Sequence, residues 1–137
     1  MAVVLGYDES PGSDAALDTA ITVAQRFGEE LVLVFGVAPP GGPGEESAAH
    51  RAALEEMGRR ATSHAMARAR EAGVETRVEL VAQKPAEALV RVADDYDATV
   101  IVVGTTGTSP IKGAILGSTP HKLLHLSTRP VLCVPVG

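Results

Sequence analysis

Tryptophan is absent from this chain, and phenylalanine and tyrosine occur only twice each. With aromatics at 3% of 137 residues, the core has to be built from Val, Leu, Ile and Ala. No apolar run approaches the ~18 residues of a membrane-spanning helix. The opening Met1-Ala2-Val3-Val4-Leu5 runs straight into Gly6-Tyr7-Asp8 with no basic stretch before it. No secretory leader is therefore expected, and the cytoplasm is the default location. Cysteine is down to one residue, Cys133, which excludes an internal disulfide. Its apolar neighbours make it a buried, inert thiol. Basic charge is scarce too: 12 Lys and Arg against 17 Asp and Glu leave a net charge of −5. Nucleic-acid and anionic-membrane binders need a basic footprint, so neither function is expected. A local anion site built from backbone N–H groups stays open.

What is present is the composition of a soluble domain, 45% hydrophobic and 21% charged. The length suits one domain over residues 1–137 with one sizeable core. Two kinds of segment alternate along it. Short β-branched runs at residues 2–7, 31–37, 74–81, 98–103 and 130–136 read as strands. Between them lie Ala-rich stretches with helical spacing. In the first, Ala16, Leu17, Ala20, Ile21, Ala24 and Phe27 share one helix face, after a Ser10-Pro11 start and before a Gly28 stop. The second helix is predicted from about Glu46 to Ala72, with Leu54, Met57, Ala61 and Ala65 inward and Gly73 ending it. The third starts at Pro85 and turns Leu89, Val92, Ala93 and Tyr96 inward. A short fourth begins near Ser118-Thr119-Pro120 and carries Leu123 and Leu124.

The order β-α-β-α-β-α-β-α-β means parallel strands joined by right-handed crossovers. The predicted fold is α/β, an open doubly wound sheet of five parallel strands with helices on both faces. Residues 31–34 and 100–103 are apolar on both parities, as central strands covered on both sides must be. The Pro39-Pro40-Gly41-Gly42-Pro43-Gly44 patch follows the second strand and lies over the carboxyl edge, where such sheets bind ligands. It reads as a connector or as a lid.

The segment after the fourth strand differs from every other connection. Gly104 to Gly117 spans fourteen residues with four glycines, several hydroxyls, one Pro and one Lys. Loops of this class usually hold about 2–6 residues, and long exceptions tend to be functional. Glycine lets a backbone approach phosphate oxygens, and successive N–H groups can then face one anion. Ser118 and Thr119 add hydroxyls and unpaired N–H donors at the start of the last helix.

The spacing Gly104, two residues, Gly107, nine residues, Gly117, Ser118 resembles the nucleotide-binding signature of the universal stress protein family in its ATP-binding branch. Val3-Val4-Leu5-Gly6-Tyr7-Asp8-Glu9-Ser10 is similar to that family's first strand, which ends in an aspartate. Pro85-Ala86-Glu87-Ala88-Leu89 resembles the start of its third helix. Arg129-Pro130-Val131-Leu132-Cys133-Val134-Pro135 resembles its last strand. The resemblance covers essentially the whole chain.

It implies a Rossmann-like sheet of the adenine nucleotide alpha-hydrolase type with strand order 3-2-1-4-5. It also implies a role for each matching position. Tyr7 and Asp8 would contact the adenosine end, and Val37 would face the adenine. Gly104 and Gly107 would pass close to ribose and phosphates, and Gly117, Ser118 and Thr119 would hold the phosphate chain. Thr119 stands where many members carry Val, a change of little weight if the contact is the backbone N–H. The implied ligand is ATP, with any Mg held by the phosphates. The implied assembly is a homodimer through the last strand, from Val131 to Val136.

Plainer roles stand beside these. Asp8 also suits a turn or helix-entry residue, Val37 suits plain core, and Lys112 suits a solvated loop cation. His121 and His125 lie at i, i+4, as metal pairs do, but no third ligand is evident near them except Cys133. No metal site is expected. His50 and His64 read as surface residues.

Three functions compete: a nucleotide-dependent regulatory or stress-response protein with at most slow hydrolysis, a true adenine-nucleotide hydrolase, and a ligand-free scaffold. Phosphoryl transfer needs a placed base, a metal ligand and a cation on the transferred group. No clear base adjoins the glycine loop, Gly117-Ser118 is not the Gly-Lys-Ser/Thr of a P-loop, and residues 6–10 lack the dinucleotide fingerprint. The glycines and Ser118 favour binding over the scaffold.

Overall fold

A computed structural model describes residues 1–8, 11–36, 48–81, 84–105 and 118–136. The elements run β1 (Ala2–Gly6), α1 (Pro11–Phe27), β2 (Glu30–Gly36), α2 (Ala48–Glu71), β3 (Thr76–Val81), α3 (Pro85–Asp95), β4 (Val100–Gly104), α4 (Ser118–Leu126) and β5 (Val131–Val134). All five strands are parallel, in the order β3-β2-β1-β4-β5. Both the alternation and the order agree with the sequence reading.

Strand periodicity sorts the core into two layers. Val3, Leu5, Leu31, Leu33 and Val102 face one way, where α1 and α2 cover them with Ala16, Leu17, Ala20, Ala24, Ala65 and Ala69. Ala2, Val4, Val32, Val34, Ile101 and Val103 face the other way, under Ala86, Leu89, Val92 and Ala93 of α3 and Leu123 of α4. The missing aromatics are thus replaced by aliphatics: Leu5, Leu17, Leu31, Leu33, Leu89, Ile101 and Leu123 are all fully buried. Each contributes about 1.5–3 kcal/mol of transfer free energy.

Helix ends follow the expected chemistry at two places and depart from it at a third. Gly28 and Gly73 sit at φ 65° and 76°, the left-handed conformation that closes α1 and α2;. Glu29 N–H donates to Ala24 O at 3.0 Å and Val74 N–H to Ala69 O at 2.9 Å. At the end of α3 the same six-to-one bond joins Ala98 N–H to Ala93 O, but the left-handed residue is Asp97 at φ 50°. Asp tolerates this conformation better than most side chains. Its carboxylate and that of Asp94 accept hydrogen bonds from Arg129, which also donates to Ala98 O at 2.9 Å. That arginine ties the α3–β4 turn to the segment entering β5.

Several sequence expectations need correction. Phe27 shares the angular face of Ala16 yet is 61% exposed. Helix α1 has 17 residues and so is about 25 Å long, whereas five-residue β1 covers about 17 Å, and Phe27 overruns the sheet;. Leu124 is 58% exposed because α4 lies on the sheet along a single stripe, which Leu123 takes. Strand β3 begins at Thr76 rather than Val74, whose N–H is used in the cap of α2. Strand β2 is described over Glu30–Gly36, and Val37, its predicted last residue, lies outside the described residues. The side chains of Leu54 and Met57, and the Pro/Gly patch, lie outside the described residues.

Candidate functional site

The strand order creates one topological break. From β1 the chain steps outward to β2 and β3, then returns to the other side of β1 for β4 and β5. The connections leaving the carboxyl ends of β1 and β4 therefore diverge, and the crevice between them is where open α/β sheets take ligands. Leu5 pairs with Val102 in the β1–β4 register. Carried two residues on, that register sets Tyr7 against Gly104. The candidate residues of the two motifs, far apart in the chain, meet at this edge.

Tyr7 is 4% exposed, part of the core under α1. Its N–H donates to Val34 O at 3.0 Å, and its hydroxyl donates to Asp14 Oδ1 at 3.1 Å. The ring is thus anchored inward, and only its backbone borders the crevice. Asp8, the next residue, is exposed at the crevice, and its N–H donates to Ser13 Oγ at 3.3 Å. A turn role for Asp8 and a ligand role for its carboxylate are compatible, because the bond uses the main chain.

Gly104 ends β4, and Thr105 N–H extends the ladder to Val134 O at 3.1 Å. A Cβ on Gly104 would lie 2.5 Å from the carbonyl oxygen of Gly12 in the first turn of α1. This glycine therefore has a packing reason that the phosphate reading did not supply. Ser118 opens α4, Thr119 is half-buried and Pro120 is buried. No acidic residue stands in the first turn of α4, so nothing there opposes an anion at its positive end;. Val37, Gly107, Gly117 and Lys112 lie outside the described residues.

Sequence reasoning missed Gly12, Ser13 and Asp14. The available signal was a glycine just after the helix-opening Pro11, followed by Ser and Asp, residue types common at helix starts. All three contact the β1 or β4 end of the crevice.

Elsewhere, burial raises the Cys133 thiol above its ordinary value, and the residue packs against the α3-side core. The His121 and His125 rings are exposed and meet edge to face with centroids 5.2 Å apart. Among the described residues no three His, Cys, Asp or Glu gather as a metal site, and no helix is long and apolar enough to cross a membrane.

Comparison with known proteins places this geometry. The model of the universal stress protein family matches residues 1–135. Universal stress protein YxiE of Bacillus subtilis is 34% identical over 150 residues, covering 96% of this chain and 97% of the relative. A universal stress protein solved in complex with cAMP superposes with a TM-score of 0.79 at 30% identity, over 100% of this chain and 98% of the other. The Archaeoglobus fulgidus universal stress protein solved with dAMP gives 0.73 at 26%, over 98% and 97%. With residues 1–135 matched by the family model and 96% of its length by a relative of similar size, this chain belongs to the universal stress protein family.

Proposed function

We propose that this protein binds an adenine nucleotide, ATP, across the β1–β4 crevice and acts as a nucleotide-dependent regulatory protein of the stress response, with at most slow hydrolysis. The observation that carries the reading is the register at the sheet's topological break, which carried on from Leu5 and Val102 sets Tyr7 against Gly104 and leaves exposed Asp8 one residue further along the same edge. The cAMP and dAMP complexes of relatives with the same fold support the choice of adenine.

Charge orients the ligand. Carboxylates accept hydrogen bonds from hydroxyls and repel phosphates, so Asp8 suits the ribose and base. The phosphates then run toward Gly104, Gly107, Gly117, Ser118 and Thr119, where main-chain donors and the α4 dipole favour negative charge. Tyr7 contributes its backbone and Val37 the adenine side. Magnesium, carried in by the phosphates, would supply charge neutralisation. The protein's own contribution is holding and orienting.

The reading also includes a homodimer through β5. That strand is a sheet edge, and Leu132 and Val136 are 37% and 48% exposed. An apolar edge of this kind is covered by pairing with its two-fold mate.

Heating the purified protein and chromatographing what it releases tests the ligand, together with the melting midpoint in millimolar ATP. An adenine nucleotide in the supernatant, or a midpoint raised by ATP, is expected. A folded protein that releases none and gains no stability from ATP would leave the scaffold function standing.

A further inference from the structure

We propose that His121 and His125 on α4 form a chelating site for a divalent transition metal of the zinc, nickel or copper kind. The site stands apart from the nucleotide reading and uses none of its residues.

The chain has four histidines, and two of them stand four apart in the nine-residue helix α4. Side chains at i and i+4 lie on one helix face, a turn apart. Both residues are exposed, and their rings approach with centroids 5.2 Å apart and planes at 74°. No hydrogen bond or ion pair to a described residue engages either ring. Two polar rings held together in water, with their nitrogens uncommitted, are two metal donors on one rigid support.

The separation suits a shared ion. Imidazole nitrogens bind zinc at about 2.0–2.1 Å, so two rings on one tetrahedral ion have centroids about 5 Å apart. The observed spacing already has that value, and the helix backbone need not move. Each ring has only to turn about χ2, a broad torsion in histidine. The angle between the planes is no obstacle, because a bound ring is free to rotate about its metal–nitrogen bond. The same i, i+4 spacing lets helical histidine pairs share zinc in metalloproteases.

Donor chemistry selects the ion. Imidazole nitrogen suits zinc, nickel and copper, whereas magnesium and calcium prefer oxygen. The sequence expectation of no metal site concerned one closed by protein ligands. The structure brings no third His, Cys, Asp or Glu to the pair among the described residues, and Cys133 packs against the α3-side core. The pair therefore makes an open site, with water in the remaining positions and a metal that exchanges.

The test is calorimetric titration of Zn²⁺ into the full chain, without an affinity tag and free of nucleotide, in a buffer that does not bind metal. One zinc per chain at micromolar affinity is expected, with no heat from Mg²⁺. Two donors on one helix act as a linked pair, so His121→Gln or His125→Gln alone is expected to weaken binding about a hundredfold. Both residues are exposed, and thermal melting without metal checks that the variants are folded. Zinc is expected to raise the melting midpoint of wild type and not of either variant. The His50→Gln/His64→Gln double variant and Cys133→Ser are expected to bind as wild type does. Millimolar affinity in wild type, binding that survives the loss of one member of the pair, or binding lost with His50, His64 or Cys133 overturns the inference. A protein that binds zinc in this way but no ATP keeps the inference and loses the nucleotide reading.

Discussion

Gly104 and Gly12 meet backbone to backbone, and the space between them has no room for a side chain on Gly104. The first turn of α1 is thereby set against the end of β4, and the crevice that begins there inherits its shape from this contact. Glycine at 104 is required for packing before any ligand is considered.

Gly104→Ala is therefore expected to lower stability by about 1–3 kcal/mol, the usual cost of overpacking a rigid contact. Urea unfolding of the nucleotide-free variant checks this. Unchanged stability with weakened ATP binding would mean that the glycine serves the ligand alone.

Gly58→Ala makes the contrasting case. A Cβ there would come within 2.5 Å of Leu80 Cδ2, the free end of a flexible side chain rather than a backbone atom. Leu80 can turn away, and alanine gains about 1 kcal/mol of helix propensity over glycine in the interior of α2. The net change is expected to stay within about 1 kcal/mol of zero by the same urea measurement. A loss as large as that of Gly104→Ala would show that Leu80 is locked.

Alkaline pH addresses Tyr96. Its hydroxyl donates to Glu79 Oε1 at 2.6 Å. That bond first, then burial and the Glu79 charge, raise the phenol above its ordinary value near 10;. A raised folded-state value means that the contribution is whole below about pH 10 and disappears as pH climbs through the folded value. Tyr96→Phe is expected to be about 1 kcal/mol less stable at pH 8, and the gap to wild type is expected to narrow above pH 10. Denaturation at both pH values reads the difference, and a constant gap would contradict the assignment.

The sheet edge offers a fourth prediction. If two copies pair through β5, lysine at both Leu132 and Val136 places like charges at the seam, at positions exposed in one chain;. Sedimentation is expected to give the dimer mass for wild type and the monomer mass for the double variant. A wild-type monomer at micromolar concentration would contradict the β5 dimer.

The fold was legible because its periodicities are clean. Val3 and Leu5 against Ala2 and Val4, and the Ala-Leu face of α1, leave one way to bury both sides of a parallel sheet. What was not legible depends on lengths and on closures without glycine. Phe27 carries the right angle but sits beyond the sheet, and Asp97 stands where a glycine stop was the natural signal. Motif spacing singled out Asp8 and Gly104, and the structure places both at the carboxyl edge of the sheet. Gly12 and Ser13 were legible only as helix-start residue types; their contacts with Gly104 and the Asp8 N–H were not, because a glycine and a backbone N–H leave no trace in residue type.

The central claim is tested most directly by calorimetric titration of ATP into nucleotide-free wild-type protein and into Gly117→Val. The account predicts saturable binding by wild type and its loss in the variant, because the proposed site gives Gly117 a part in holding the phosphate chain. No heat from folded wild-type protein at millimolar ATP, or equal binding by both proteins, would contradict it.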